Sequence, residues 1–184
     1  MNPSAIFGIS ILASLVSSGI AARLFVWPRL QKMEPHRALT ALVAPHMFLR
    51  FLGLSFLVPG IVSPLLPPSF AVPAAYGDVV AGVLAIIATL ALVNRTSWAA
   101  ASAWLFNLWG AADLLFAFYR GSQVAIDPGT LGATFFLVTA LVPPLLATHA
   151  LIFFLLARRQ TADEQSLQPD ARLSKNEITR SQRA

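Results

Sequence analysis

The stretch Ala44–Gly53 (APHMFLRFLG) places His46 and Arg50 four residues apart in an otherwise apolar run. A spacing of four puts both side chains on one face of a helix. Of the 184 residues in the chain, 57% are hydrophobic and only 11% are charged, whereas an ordinary soluble domain is about 25% charged. A soluble domain of this size could not bury so much apolar surface. We therefore predict an integral membrane protein in which this polar face points away from lipid.

Five apolar runs are long enough to cross the hydrocarbon core of a bilayer, which takes roughly 20 helical residues. The sequence thus predicts an all-α, polytopic bundle of five transmembrane helices in one domain, residues 1–159. The predicted helices are at about 4–26, 38–62, 75–94, 97–119 and 130–157. The first run has its charge after it rather than before it, so we interpret it as a retained helix and not as a cleaved signal peptide.

Two segments outside the predicted helices have distinct compositions. Ser63–Ala75 has no charge and four prolines, which favours an ordered loop at the membrane interface because proline breaks helices. The segment 160–184 is polar, and its four basic and four acidic side chains cancel. Such a segment buries too little apolar surface to offset its ordering entropy, so we predict a disordered cytoplasmic tail.

The positive charges predict the orientation. Basic residues are concentrated between the first two helices and after the fifth, and positive loops face the cytoplasm. The N-terminus is therefore expected outside and the C-terminus inside. The prevalence of Arg over Lys and the many alanines are associated with high-GC bacteria, which favours a multi-pass protein of a bacterial cytoplasmic (inner) membrane.

Polar residues lie deep in these predicted helices. At 1.5 Å per residue, His46 is roughly 12 Å and Arg50 roughly 18 Å from the cytoplasmic side of a core about 30 Å thick. His149 is also roughly 12 Å from that side, because the fifth helix runs in the opposite direction to the second. A charge at the centre of a bilayer costs about 2.5–3.5 kcal/mol on insertion scales. We therefore expect Arg50 to face the interior of the bundle and to pair with Asp78, Asp113 or both.

These deep polar groups are the candidate site. Intramembrane ionisable residues often line substrate or proton pathways. The residues predicted to line a ligand or proton pathway are His46, Arg50, Asp78, Asn107, Asp113 and His149. The leading interpretation is a small membrane protein that binds an apolar or weakly polar molecule, or moves protons or solute, without ATP.

Two other functions remain open at this stage. His46 and His149 share a depth, so they could be the axial ligands of a b-type haem in a haem- or quinone-associated electron-transfer subunit. Alternatively, the buried charges only specify packing, and the protein is a structural or accessory membrane subunit. Apart from the haem, no cofactor is expected.

Several classes of function lack sequence support. The chain has no cysteine, so it has no thiolate chemistry and no Cys-ligated metal site. It has no phosphate-binding glycine loop, no HExxH zinc motif and no GxSxG nucleophile elbow, so no enzyme activity is indicated. Basic residues interleaved with aromatics, as in nucleic-acid-binding proteins, are also missing. The expected partners are the lipid bilayer and an unknown small molecule, and a homo-oligomer or a larger membrane complex stays open.

Overall fold

The computed structural model describes residues 2–166, and in that range the chain forms helices and no β-strand. Five helices in this range are long and apolar enough to cross a membrane, as predicted. We number them α1 (Pro3–Leu30), α2 (Pro35–Leu57), α3 (Pro68–Val93), α4 (Ala99–Gln123) and α5 (Thr134–Thr161).

Consecutive helices are joined by short connections and run in opposite directions. α3 packs between α2 and α4, and α5 packs on α1, α2 and α4. No residue of Pro3–Ala21 in α1 is buried, so α2–α5 enclose the core and α1 flanks it. We call the end of the bundle where Pro3, Pro68 and Gln123 lie the N-terminal end, and the other end the opposite end.

The opposite half of the bundle is tightly packed. Small side chains of α3, including Ala85 and Ala88, are buried against large apolar side chains of α2, α4 and α5, such as Val43, Phe106 and Ile152. Small residues at helix interfaces let backbones approach closely in a membrane, where van der Waals packing drives association. This packing fills the core between α2, α3, α4 and α5 in the opposite half.

Prolines shape two of the helices. A π-helical turn at Ala22–Val26 precedes Pro28, and a second at Leu137–Leu141 precedes Pro143 and Pro144. Proline has no N–H to donate, so the carbonyls one turn earlier lose their usual partner. The wider π-helical turns accommodate the prolines, so both helices continue beyond them. α1 therefore continues to Leu30, and the prediction that it ends near residue 26 was wrong.

The prediction of a loop over Ser63–Ala75 was also wrong, because α3 begins at Pro68 rather than Ala75. Pro68 is at the first helical position, where no N–H is needed. Pro73 lies inside the helix and leaves the carbonyl oxygen of Ser69 without its helical donor. Arg120 of α4 supplies that donor, because its Nη2 lies 3.1 Å from this oxygen.

α2 ends at Leu57 and not at residue 62, and its last eight residues, Arg50–Leu57, form a 3₁₀ helix. Val58 is extended because the following proline, Pro59, disfavours helical backbone at the residue before it. The connection to α3 then packs on the segment before α5. The carbonyl oxygen of Ile61 accepts from the amide of Ala133 at 3.0 Å.

The last two helices also differ from their predicted bounds. α4 continues past Tyr119 to Gln123. α5 begins at Thr134 rather than residue 130, because Asp127 caps a separate 3₁₀ turn and Gly132 follows with a φ of +53°. Helix continues to Ser166, so the first seven residues of the predicted tail, 160–166, are helical. The rest of the predicted tail, 167–184, lies outside the described residues.

Candidate functional site

Arg50 is completely buried, and its side chain connects α2 to α3, α4 and α5. Nη1 donates to Oδ1 of Asp78 at 2.5 Å and to Oδ2 of Asp113 at 3.1 Å. Nη2 donates to the carbonyl oxygen of Gly110 at 2.5 Å and to Nε2 of His149 at 3.0 Å. The prediction that Arg50 is buried and paired is thus confirmed, with both carboxylates. We call Arg50, Asp78 and Asp113 the ion cluster.

Three helical glycines make room for this cluster. A Cβ at any of them would collide with a polar side chain: Gly53 with Asp78, Gly77 with Asp113, and Gly110 with His149 and Arg50. At Gly110 the collision would bring that Cβ within 2.6 Å of Cε1 of His149. The polar side chains therefore lie directly on the backbones of neighbouring helices.

The contacts of His149 fix its tautomer. A guanidinium can only donate hydrogen bonds, so Nε2 of His149 must accept from Arg50 and carries no proton. Nδ1 then carries the proton and donates to Oδ1 of Asn107 at 2.7 Å. In return, Nδ2 of Asn107 donates to the carbonyl oxygen of His149 at 3.2 Å. His149 is therefore a neutral imidazole.

The hydrogen bonds of His46 indicate that its imidazole is also neutral. The hydroxyl of Thr148 donates its one hydrogen to the carbonyl oxygen of Leu145, so it accepts from Nε2 of His46 at 2.9 Å. Nδ1 of His46 is buried and has no partner among the described residues. An unpaired buried acceptor is tolerated better than an unpaired N–H, which favours the neutral form.

The two histidine rings lie side by side. Their centroids are 4.7 Å apart, which is less than one helical turn of about 5.4 Å, and both residues are buried. The predictions of shared depth and of inward orientation are confirmed. Phe106 packs against both rings, with centroids 5.0 Å from His46 and 5.2 Å from His149.

This geometry does not fit a haem held between the two histidines. Axial ligation needs the iron and the porphyrin plane between two ring nitrogens that face each other. Here the two rings are in direct contact, and both nitrogens of His149 are hydrogen-bonded to Arg50 and Asn107. Ligation would require these bonds to break and the helices to separate.

A cavity of about 480 Å³ lies in the N-terminal half, and residues of all five helices line it. It extends from exposed Ser4 and Ser122 at the end of the bundle to Asp78 and Asp113. Its walls are otherwise mostly apolar, and they include Phe7, Ile11, Phe56, Phe70, Leu114, Phe118 and Val142. The side chains of both carboxylates are about 10% exposed, so the ion cluster forms the polar end of an apolar cavity.

All six predicted site residues therefore come together. Asp78 and Asp113 line the cavity, Arg50 lies behind them, and His149, Asn107 and His46 extend away from it. A role for them in ligand binding or proton movement stays a prediction.

Some contributors to the site were not predicted. The partnership of Thr148 with His46 depends on the rotation of α5, for which the sequence gives no signal. The contribution of α1 to the cavity was missed for the same reason. The glycines were a usable signal, because Gly77 directly precedes Asp78 and Gly110 lies one turn before Asp113.

Residues 6–157 match a family described as a domain of unknown function, DUF8737. The chain belongs to the DUF8737 family. No curated protein and no solved structure matches the chain. The match covers the described bundle from the first turn of α1 to within α5, so the whole site lies inside the DUF8737 domain.

The glycine at position 110 gives a test of the site in this DUF8737 domain. Gly110→Ala should lower the melting temperature, because overpacking a close-packed interior typically costs about 1–3 kcal/mol. The matched control is Gly19→Ala in α1, where the new Cβ meets nothing within 4 Å. That control should be neutral or stabilising, since alanine is favoured over glycine in helices by about 1 kcal/mol. Equal melting temperatures for the two variants would contradict the close approach.

Removal of the guanidinium tests the ion cluster. Arg50→Met should lower the free energy of unfolding by about 3–5 kcal/mol, because it leaves buried carboxylates unpaired. Adding Asp78→Asn and Asp113→Asn should recover part of that loss, as measured by denaturant titration in detergent. Arg95→Met, which breaks the exposed pair with Glu34, is the control and should cost no more than about 1 kcal/mol. Strictly additive losses within the cluster would show that its members do not interact.

Proposed function

We propose that this protein binds a small, largely apolar molecule in the cavity that ends at Asp78 and Asp113. Small-molecule sites are concave, are about 300–1,000 Å³ in volume, and combine apolar walls with a few polar groups. The cavity has a volume of about 480 Å³ and mostly apolar walls, with polar groups at its deep end.

The observation that carries the proposal is the meeting of this cavity with a buried ion cluster. An ion cluster that only stabilised packing would be best covered by apolar side chains. Water in an adjacent cavity would weaken the attraction between the charges of the cluster. Here both carboxylates are at the cavity wall. They could give a bound molecule orientation and specificity while the apolar walls supply affinity.

Binding is a better proposal than free passage through the bundle. Beyond the histidines, Val43, Leu39, Phe106 and Ile152 are buried in a continuous apolar cluster. A solute would have to displace this layer to reach the opposite end.

Proton movement is a second candidate. It would use the carboxylates at the cavity wall, but the contacts from Asp113 toward His149 pass through Arg50, which cannot release its proton, so this candidate is the weaker one. A proton-flux assay in liposomes distinguishes this candidate from binding alone.

The proposed setting is a bacterial cytoplasmic membrane with the N-terminal end outside. Arg29, Arg95 and Arg159 lie at the opposite end, where Arg95 pairs with Glu34 and Arg159 contacts His36. Loops rich in Lys and Arg face the cytoplasm. In this orientation the cavity is reached from the outer half of the membrane.

Filling the cavity should abolish binding. Ala117 lines the cavity, so Ala117→Phe should reduce saturable photolabelling of the wall by an apolar benzophenone probe at least tenfold. The measurement is mass spectrometry of labelled peptides from protein in nanodiscs. Ala112→Phe, on the exposed face of the same helix, is the control and should keep wild-type labelling. Absence of saturable labelling in the wild type, or equal labelling in all three proteins, would contradict the proposed function and favour a structural role.

The orientation is tested with fused reporters. A reporter that is active only in the periplasm should work ahead of Met1 and fail after Ala184, because the basic clusters at the opposite end keep that side in the cytoplasm. The reverse pattern of activity would overturn the orientation and the proposed access from outside.

A further inference from the structure

The ion cluster carries an excess of negative charge at the cavity. Its one guanidinium faces two carboxylates, and the contacts of His46 and His149 make both imidazoles neutral. When both carboxylates are ionised, the cluster has one positive and two negative charges, so its net charge is −1. No other cation of the described residues bonds to either carboxylate.

Asp113 is the less firmly held carboxylate. Both carboxylates share the same nitrogen, Nη1 of Arg50, with Asp78 at 2.5 Å and Asp113 at 3.1 Å. Nη2 is occupied by Gly110 and His149, and Nε has no partner among the described residues, so neither carboxylate is bound in the bidentate manner. Asp113 therefore retains hydrogen-bonding capacity on the cavity side.

The cavity walls indicate what kind of cation could balance this charge. Metal ions such as Ca²⁺ take six to eight oxygen ligands, and the described walls offer few oxygens beyond the two carboxylates and two serines. The walls instead present aromatic rings from Phe7, Phe56, Phe70 and Phe118. Apolar and aromatic side chains suit the hydrocarbon body of an organic ammonium, whose charge a carboxylate can balance, better than they suit a metal ion.

We infer that the cavity takes an organic cation, a molecule with an apolar body and an ammonium group that lies at Asp113. This inference rests on the proposed function and adds the charge of the ligand. The ammonium neutralises the excess carboxylate, and the apolar body fills the aromatic part of the cavity. A neutral molecule of the same shape would bring no charge, and the cluster would then need a proton on one carboxylate to become neutral.

The test compares two photoreactive probes of the same shape on the intact chain in nanodiscs. One is a 4-(4-azidophenyl)butyl-trimethylammonium, and the other is its uncharged tert-butyl isostere, in which carbon replaces nitrogen. The ammonium probe should label the cavity peptides with an affinity at least about tenfold higher. Because the quaternary nitrogen cannot lose a proton, its charge is the same at every pH.

Variants show whether Asp113 is the cause of this preference. Asp113→Asn should bring the affinity ratio of the two probes close to one, while Arg50 stays paired with Asp78. Glu34→Gln, at the opposite end, should keep the wild-type ratio. The two probes partition differently into lipid, but this difference cancels when the affinity ratio of one protein is compared with that of another. The wild-type comparison stands even if Asp113→Asn does not fold.

The outcomes separate the two proposals. Equal saturable labelling of the wild-type cavity by both probes would overturn the inference and leave the proposed function standing. No saturable labelling by either probe would overturn both. A preference for the ammonium that survives in folded Asp113→Asn would overturn the role of Asp113.

Discussion

The buried guanidinium of Arg50 is the interaction on which the rest of the structure depends. A lone charge inside a membrane is costly, and its burial is tolerated only with partners that replace its hydration. Here the partners come from three other helices: carboxylates from α3 and α4, a carbonyl from α4 and an imidazole from α5. The position of every core helix is therefore constrained by one side chain. Gly53, Gly77 and Gly110 follow from this constraint, because the helices must approach closely enough for short side chains to reach it.

The orientation of the histidines follows from the same side chain. Arg50 can only donate, so it requires an unprotonated Nε2 on His149, and the other nitrogen is then free to donate to Asn107. His46 packs against this ring and bonds to Thr148 instead. Each hydrogen bond from Arg50 through His149 to Asn107 therefore has a fixed donor and a fixed acceptor. A proton added to His149 would break its bond to Arg50, so the network resists protonation at its centre.

Much of the architecture was predictable because the bilayer imposes strict rules. The lengths of the apolar runs predicted the five helices. The positions of the polar residues along them predicted the shared depth of His46 and His149, and the need to pair Arg50 predicted the composition of the ion cluster. The errors in the bounds of α2 and α3 came from prolines. Pro68 starts a helix where a loop was expected, since the first helical position needs no donor, and Pro59 ends one earlier than hydropathy indicates. A cavity at the buried polar residues was expected, but its apolar walls could not be predicted, because they depend on how α1 and α5 are rotated and both helices have apolar residues on all sides.

The cluster has one more carboxylate than Arg50 alone can neutralise. One aspartate would neutralise Arg50, and a second adds a buried charge that costs stability unless something balances it. Asp113 is also the carboxylate at the longer distance, and it faces a cavity rather than a sealed interior. Packing alone would be served better by an asparagine or a leucine at this position. The second carboxylate therefore makes physical sense when a further positive charge, brought by a bound molecule or a proton, completes the cluster from the cavity side.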